Sequence, residues 1–208
     1  MLVAGFLFSC MGIFVKLGAE YFSSAELVFY RSLFGLVILY VVVISRRLPL
    51  RTAHFVNHAW RGVTGMIALL LFFHTISILP LATAITLNYT SPLFFAVLMV
   101  VVLGERPRVL LIMALLSGFG GVMLLLQPGF QQELWRTQLM GVTAGALSGF
   151  AYLNVKQLGK LGEPEWRVVF YFTLISTLGS MLWMSGKTWH TIGWHELWLL
   201  LGLGITAT

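Results

Sequence analysis

The chain has 208 residues, of which 59% are hydrophobic and only 10% charged, and its formal net charge is +6. A soluble domain carries roughly 25% charged residues, and no soluble fold of this length has a core able to hide so much apolar surface. The composition therefore excludes a soluble protein, and the basic residues sit in short breaks between apolar runs, which fits membrane topology rather than nucleic-acid binding.

Eight hydrophobic runs follow one another, at about 2–18, 26–44, 61–79, 81–103, 109–127, 138–156, 166–185 and 195–208. Their length and the lack of period-two alternation predict helices rather than barrel strands. The first run lacks a basic leader and a small-residue cleavage site, so it reads as a span and not a signal peptide. Its single cysteine, Cys10, supports neither a disulfide framework nor a metal site. Ser9, Gly12 and Lys16 fall at i, i+3 and i+7 on one face of this span. That stripe could line a cavity and attract an anionic group; the plainer account is a lysine snorkelling to the headgroups.

In the second run, Glu26 and Arg31 flank the entry, five residues apart and on somewhat different faces. Arg31 is the deeper of the two and reads as a structural partner for a carboxylate or as a gating residue. The basic break 45–60 holds His54 and His58 at i, i+4, a metal-binding spacing, but interfacial solvation accounts for them better. His74 is the one histidine inside a hydrophobic run; it is a candidate for proton coupling or, more simply, a hydrogen-bonded interior residue.

The fourth run, Leu81–Leu103, contains no charge and is long enough to cross a bilayer core of roughly 30 Å. Near its middle stand Asn88, Tyr89, Thr90, Ser91 and Pro92. Polar side chains at that depth face protein or a water-filled cavity, and the proline predicts a kink. Asn88, Ser91 and Phe95 share a face, while Tyr89 points elsewhere. Two readings follow: a substrate path, or a helix seam joined by small polar groups. In the fifth run, Ser117-Gly118 and Gly120-Gly121 suit close helix packing. The sixth carries Gly149, Tyr152, Asn154 and Lys156, and in the last break and run His190 and His195 stand among Trp189, Trp194 and Trp198, the pattern of an interfacial aromatic belt.

With the amino terminus cytoplasmic, nine Lys and Arg fall in inner connections (Arg46, Arg47, Arg51, Arg61, Arg106, Arg108, Lys156, Lys160 and Arg167) and three on the outer side (Lys16, Arg136 and Lys187), Arg31 being left out. That bias predicts the amino terminus inside. An internal repeat adds to it. Ala4-Gly5 and Val15-Lys16 recur as Ala144-Gly145 and Val155-Lys156, and Val28-Phe29-Tyr30 as Val169-Phe170-Tyr171. A repeat of five spans, an odd number, places its copies in opposite orientations, as in secondary transporters. The expected units are a first repeat over residues 1–129 and an incomplete second over 138–208, as though the chain were truncated at its carboxyl end. No zinc-protease, phosphate-loop or nucleophile-elbow motif appears, so neither an enzyme nor a cofactor is expected.

Several stretches resemble the EamA branch of the drug/metabolite transporter superfamily: Ser9–Lys16, Glu26–Ser32, and above all Pro80–Ala84, Thr90–Phe94 and Leu103–Pro107. Together they cover about residues 4–130, with a weaker echo from 138 onward. The resemblance implies an all-α fold of ten helices in two inverted five-helix repeats, both termini cytoplasmic, in a bacterial inner membrane. It also implies transport of small metabolites, often outward, with the branch of S-adenosylmethionine and riboflavin carriers the nearest in pattern. The expectation is thus a secondary carrier working by alternating access, touching substrate through Asn88, Tyr89, Ser91, Phe95, Tyr152 and Asn154 and coupling or gating through Arg31, His74, Glu26, Lys16 and Lys156. Its partners are a small-molecule substrate and the lipid bilayer, with no nucleic acid. The alternative is a non-transporting membrane scaffold or an inactive truncated product, with an intramembrane enzyme a distant third.

Overall fold

The structure is a computed structural model, and it describes residues 2–105, 108–126, 134–185, 190 and 193–207. Among these, all regular structure is helical: α1 (Leu2–Gly18), α2 (Ser24–Ser45), α3 (Phe55–Ile78), α4 (Leu81–Asn88), α5 (Ser91–Leu103), α6 (Val109–Leu126), α7 (Trp135–Lys160), α8 (Glu165–Met184) and α9 (Trp194–Ala207). Among the described residues, four segments are long and apolar enough to cross a membrane: α2, α3, α4 with α5, and α8. Arg106, Pro107, Lys187 and Trp189, and the side chains of Trp194 and His195, lie outside the described residues.

The eight apolar runs reappear as helices, with two instructive differences. α3 begins at Phe55, six residues before the expected start at 61, so His58 and Arg61 are helical and not in a loop. The fourth run is two helices, broken at Tyr89-Thr90. Pro92 sits in the first turn of α5, where its missing N–H is harmless, and the interruption of the run falls just before it.

The bundle is arranged around a buried cluster that includes Met11, Val15, Leu27, Val28, Phe72, Phe73, Ile76, Ala144, Leu200 and Leu203. α3 packs on α7 and α8, α2 on α8 and α9, and α1 on α9, while α4 and α5 pack on α7. Large apolar side chains such as Val41, Val101, Leu110 and Leu182 face outward, as a lipid-facing surface requires. α6 is peripheral: a Cβ built on Gly118, Gly120 or Gly121 meets nothing within 4 Å, so these glycines make no close helix contact among the described residues. Close-packed glycines lie instead on other helices, among them Gly62 of α3, Gly204 of α9 and, on α7, Gly141, Gly145 and Gly149, these three each against α4 or α5, with α3 also at Gly141.

One junction staples the α2–α3 connection to the α7–α8 connection. Glu163, with its side chain 5% exposed, accepts hydrogen bonds from Thr52 Oγ1 (2.5 Å) and Arg167 Nη1 (2.7 Å), with His58 Nε2 at 3.4 Å. Arg167 also donates to the Pro49 carbonyl at 2.8 Å and Tyr171 to that of Leu50 at 3.0 Å. Burial alone would raise the Glu163 carboxyl, but the Thr52 and Arg167 donors outweigh it and hold the group at about 2. His58 is fully buried beside this carboxylate and a Tyr171 ring 4.7 Å away, which corrects its reading as a solvated interfacial residue. The carboxylate comes from a loop far along the chain, out of reach of local sequence pattern.

Candidate functional site

The break in the fourth run builds the site. Thr90 Oγ1 donates to the Leu87 carbonyl at 2.6 Å and the Thr90 amide to the same carbonyl at 3.2 Å, tightening the last turn of α4. Pro92 has no N–H to offer the carbonyl four residues back, that of Asn88. The carbonyl of Asn88 thereby lacks its i+4 backbone donor at the middle of the run. Interrupted helices of this kind form polar sites inside membranes where irregular backbone lines a cavity.

Asn88 does line one, of about 160 Å³, walled by α1, α2, α3, α4, α7 and α8. Its polar lining is Arg31, Arg61, Asn88, Ser148 and Tyr152, set among phenylalanine rings. Arg61 rises along α3 so that its guanidinium lies over Gly65, where any Cβ would run into it, and it stacks on the Phe172 ring at 4.4 Å. Arg31 enters from α2 and also borders a smaller adjoining pocket with Phe172 and Thr173. Arg31 Nε, Arg61 Nε and Arg61 Nη1 are buried without a hydrogen-bond partner among the described residues. No described carboxylate pairs with either arginine: the ion pairs use Glu105, Glu163 and Glu196.

The other expected site residues are distributed as follows. Tyr152 lines the cavity and holds Phe95 edge-on at 6.5 Å, so Phe95 adjoins the site through that ring. Ser91 is buried in the α5–α7 seam, against Gly149. Tyr89 faces α6, in a separate pocket with Pro92 and Gly118. Asn154 is buried elsewhere on α7, its Nδ2 without a partner. His74 borders a larger cavity of about 490 Å³, almost wholly apolar, with Met66, Met140 and Trp183, apart from the arginines.

Three charged candidates are held in structural roles. Glu26 closes a capping box at the start of α2: its carboxylate accepts from the Ser23 amide at 2.7 Å, its own amide donates to Ser23 Oγ at 3.3 Å, and its second oxygen accepts from the His190 amide at 2.8 Å. Lys16 Nζ donates to the carbonyls of Ile76, Ser77 and Leu79 at 2.9, 3.2 and 2.9 Å, capping the end of α3. Lys156 and Lys160 both pair with Glu105, in the α5–α6 connection, and their hydrogen bonds hold that exposed carboxyl at about 2. Sequence reasoning missed Arg61 and Ser148. For Arg61 the signal was present in the i, i+4 spacing of His54 and His58 and the i, i+3 step to Arg61, which already reads as a helix.

Comparison with known proteins adds three findings. The EamA-like transporter family matches residues 1–127. The pseudopaline exporter CntI of Pseudomonas aeruginosa is 28% identical over 208 residues, covering 99% of this chain and 72% of that protein. A riboflavin transporter of Vibrio cholerae is 27% identical over 211 residues (99% of this chain, 70% of that one), and an S-adenosylmethionine uptake transporter of Rickettsia prowazekii 26% over 187 residues (89% and 62%). A solved crystal structure superposes with a TM-score of 0.75 at 19% identity, covering 99% of this chain and 74% of that one, a likeness of fold.

Proposed function

The chain belongs to the EamA-like transporter family, and from that premise we propose that it is a secondary carrier whose two halves, related as inverted repeats, rock around the Asn88 cavity to move a small metabolite across a bacterial inner membrane. The relatives named above as exporter and as uptake transporters make a small-molecule transporter the parent class. The observation that carries the finer reading is the cavity itself: polar groups from α2, α3, α4 and α7 converge where the fourth run is broken.

The packing supports inverted halves. If α1, α2 and α3 correspond to α7, α8 and α9, then the α3–α7 contact is mirrored by α1–α9, the α3–α8 contact by α2–α9, and α2–α8 by itself. The match extends to single residues. Gly62 of α3 receives Ile175 of α8, and Gly204 of α9 receives Phe34 of α2, each partner displaced by the repeat period of about 140 residues. In this reading the Glu163 junction joins the halves on the face carrying Arg46, Arg47 and Arg51, which we place in the cytoplasm, and it must part for the cavity to open there. Asn88, Tyr152, Ser148 and the two arginines contact substrate; Ser91 and Tyr89 do not.

Counterflow in proteoliposomes tests the assignment. Asn88→Ala lowers exchange about tenfold at unchanged membrane abundance, the worth of one or two hydrogen bonds, whereas Ser91→Ala leaves exchange within about twofold of wild type. Equal loss in both variants, or in neither, would move the site away from the cavity.

A further inference from the structure

We infer that the substrate of this cavity is a small organic dianion, gripped at its two acidic ends by Arg31 and Arg61. This rests on the carrier reading for its meaning as transport, while the binding site itself stands on the arginines alone.

Arginine inside a membrane is costly and is ordinarily paired with an acid or a carbonyl. Here two guanidiniums border one cavity of about 160 Å³ with buried N–H groups unpartnered, and no described carboxylate pairs with them. All the chain's acids are glutamates, and the described ones are placed elsewhere: Glu20 lies between α1 and α2, Glu26 closes the α2 cap, Glu105 binds Lys156 and Lys160, Glu163 binds Thr52 and Arg167, Glu165 opens α8, and Glu196 accepts from the Gly193 amide near His190. The Phe172 stack orients Arg61 without neutralising it. Two uncompensated positive charges bordering so small a space define what completes the site: two negative charges at a spacing that a few carbons can bridge. Each planar guanidinium fork fits a carboxylate or phosphate oxygen pair. Asn88 and Ser148 can bond the body of such a molecule, and the surrounding rings Phe8, Phe72 and Phe172 cover its carbon chain. The volume admits a four- or five-carbon diacid and excludes anything much larger in this conformation.

The experiment is a thermal-unfolding series on the purified chain in detergent with succinate, glutarate, glycerol phosphate, neutral succinamide and cationic putrescine, on wild type, Arg31→Gln and Arg61→Gln. The dianions raise the midpoint of wild type in a saturable way, because a ligand that binds only the folded state stabilises it. Succinamide and putrescine do not. Each Gln variant binds the dianions roughly ten- to a hundredfold more weakly. Its ligand-free midpoint equals or exceeds wild type, because an unpaired buried charge has been removed. Glycerol phosphate preferred over the diacids would identify the acid as phosphate. A midpoint raised by succinamide or putrescine but by neither diacid nor phosphate overturns the inference. So does a ligand-free midpoint that drops in both variants, which would mean that the arginines are structural. Counterflow of the same compounds separates the two claims: exchange of neutral or cationic compounds alone keeps the carrier and overturns the dianion, while dianion binding without exchange of any compound keeps the site and removes the carrier.

Discussion

Gly149→Val leaves little folded protein in the membrane and no transport activity. A Cβ built on Gly149 stands 2.9 Å from Phe94 Cβ, from the Phe95 amide nitrogen and from the Ser91 carbonyl oxygen. Two of those three obstacles are backbone at the first turn of α5, so no rotamer change relieves them; the whole of α5 must move from α7. That movement opens the seam in which Ser91 is buried and displaces the Asn88 break that α4 and α5 share. Helices in lipid associate through close packing without a hydrophobic force between them, so a lost approach is not compensated elsewhere. Overpacking by even one methyl costs about 1–3 kcal/mol, and Gly149→Ala falls in that range, with valine beyond it. Gly141→Ala is milder, since its nearest obstacle, at 2.7 Å, is the end of the Leu87 side chain. Gly120→Ala is neutral, because nothing lies within 4 Å of its Cβ. Fluorescence-detected gel filtration after a heating series orders the four variants; a Gly149→Val protein as stable as Gly120→Ala would refute the seam.

Lys16→Met lowers the unfolding midpoint by roughly 6–12 °C, the equivalent of about 3 kcal/mol. The last carbonyls of a helix have no intrahelical donor, and the residue that follows this helix end is followed in turn by Pro80, so α3 cannot continue and satisfy them. One ammonium serves Ile76, Ser77 and Leu79 together, at the negative end of the α3 dipole. Methionine keeps the length and removes all three bonds. Lys16→Arg retains charge and recovers part of the loss. An unchanged midpoint for Lys16→Met would return the lysine to the headgroup layer.

Much of the fold is legible in the order of residues, because apolar runs of membrane length and their charged breaks are local signals. The polar break at Asn88 is legible for the same reason: polar groups and a proline at the midpoint of an uncharged span demand a special environment. The start of α3 was misplaced because His54–Trp60 is too polar to register as part of a span, and with it went Arg61, counted as a loop charge. Lys16 and Lys156 were visible as unusual residues, but their partners are carbonyls and a carboxylate tens of residues away, beyond any helical periodicity, whereas the Ser23 cap partner of Glu26 stands only three residues back. The glycines were misjudged for a related reason. Gly118, Gly120 and Gly121 cluster in sequence yet face open space, while Gly141, Gly145 and Gly149, at a spacing of four, form the actual seam.

Ser148 offers the most direct test of alternating access, since it lines the cavity and the chain's single cysteine, Cys10, is readily replaced. In a Cys10→Ser, Ser148→Cys protein reconstituted with known orientation, a membrane-impermeant maleimide is applied from one side and then from the other. The carrier reading predicts labelling from both sides, slowed from both by whichever compound the counterflow assay exchanges. Labelling from one side only, or from neither, would contradict a cavity that opens alternately across the membrane.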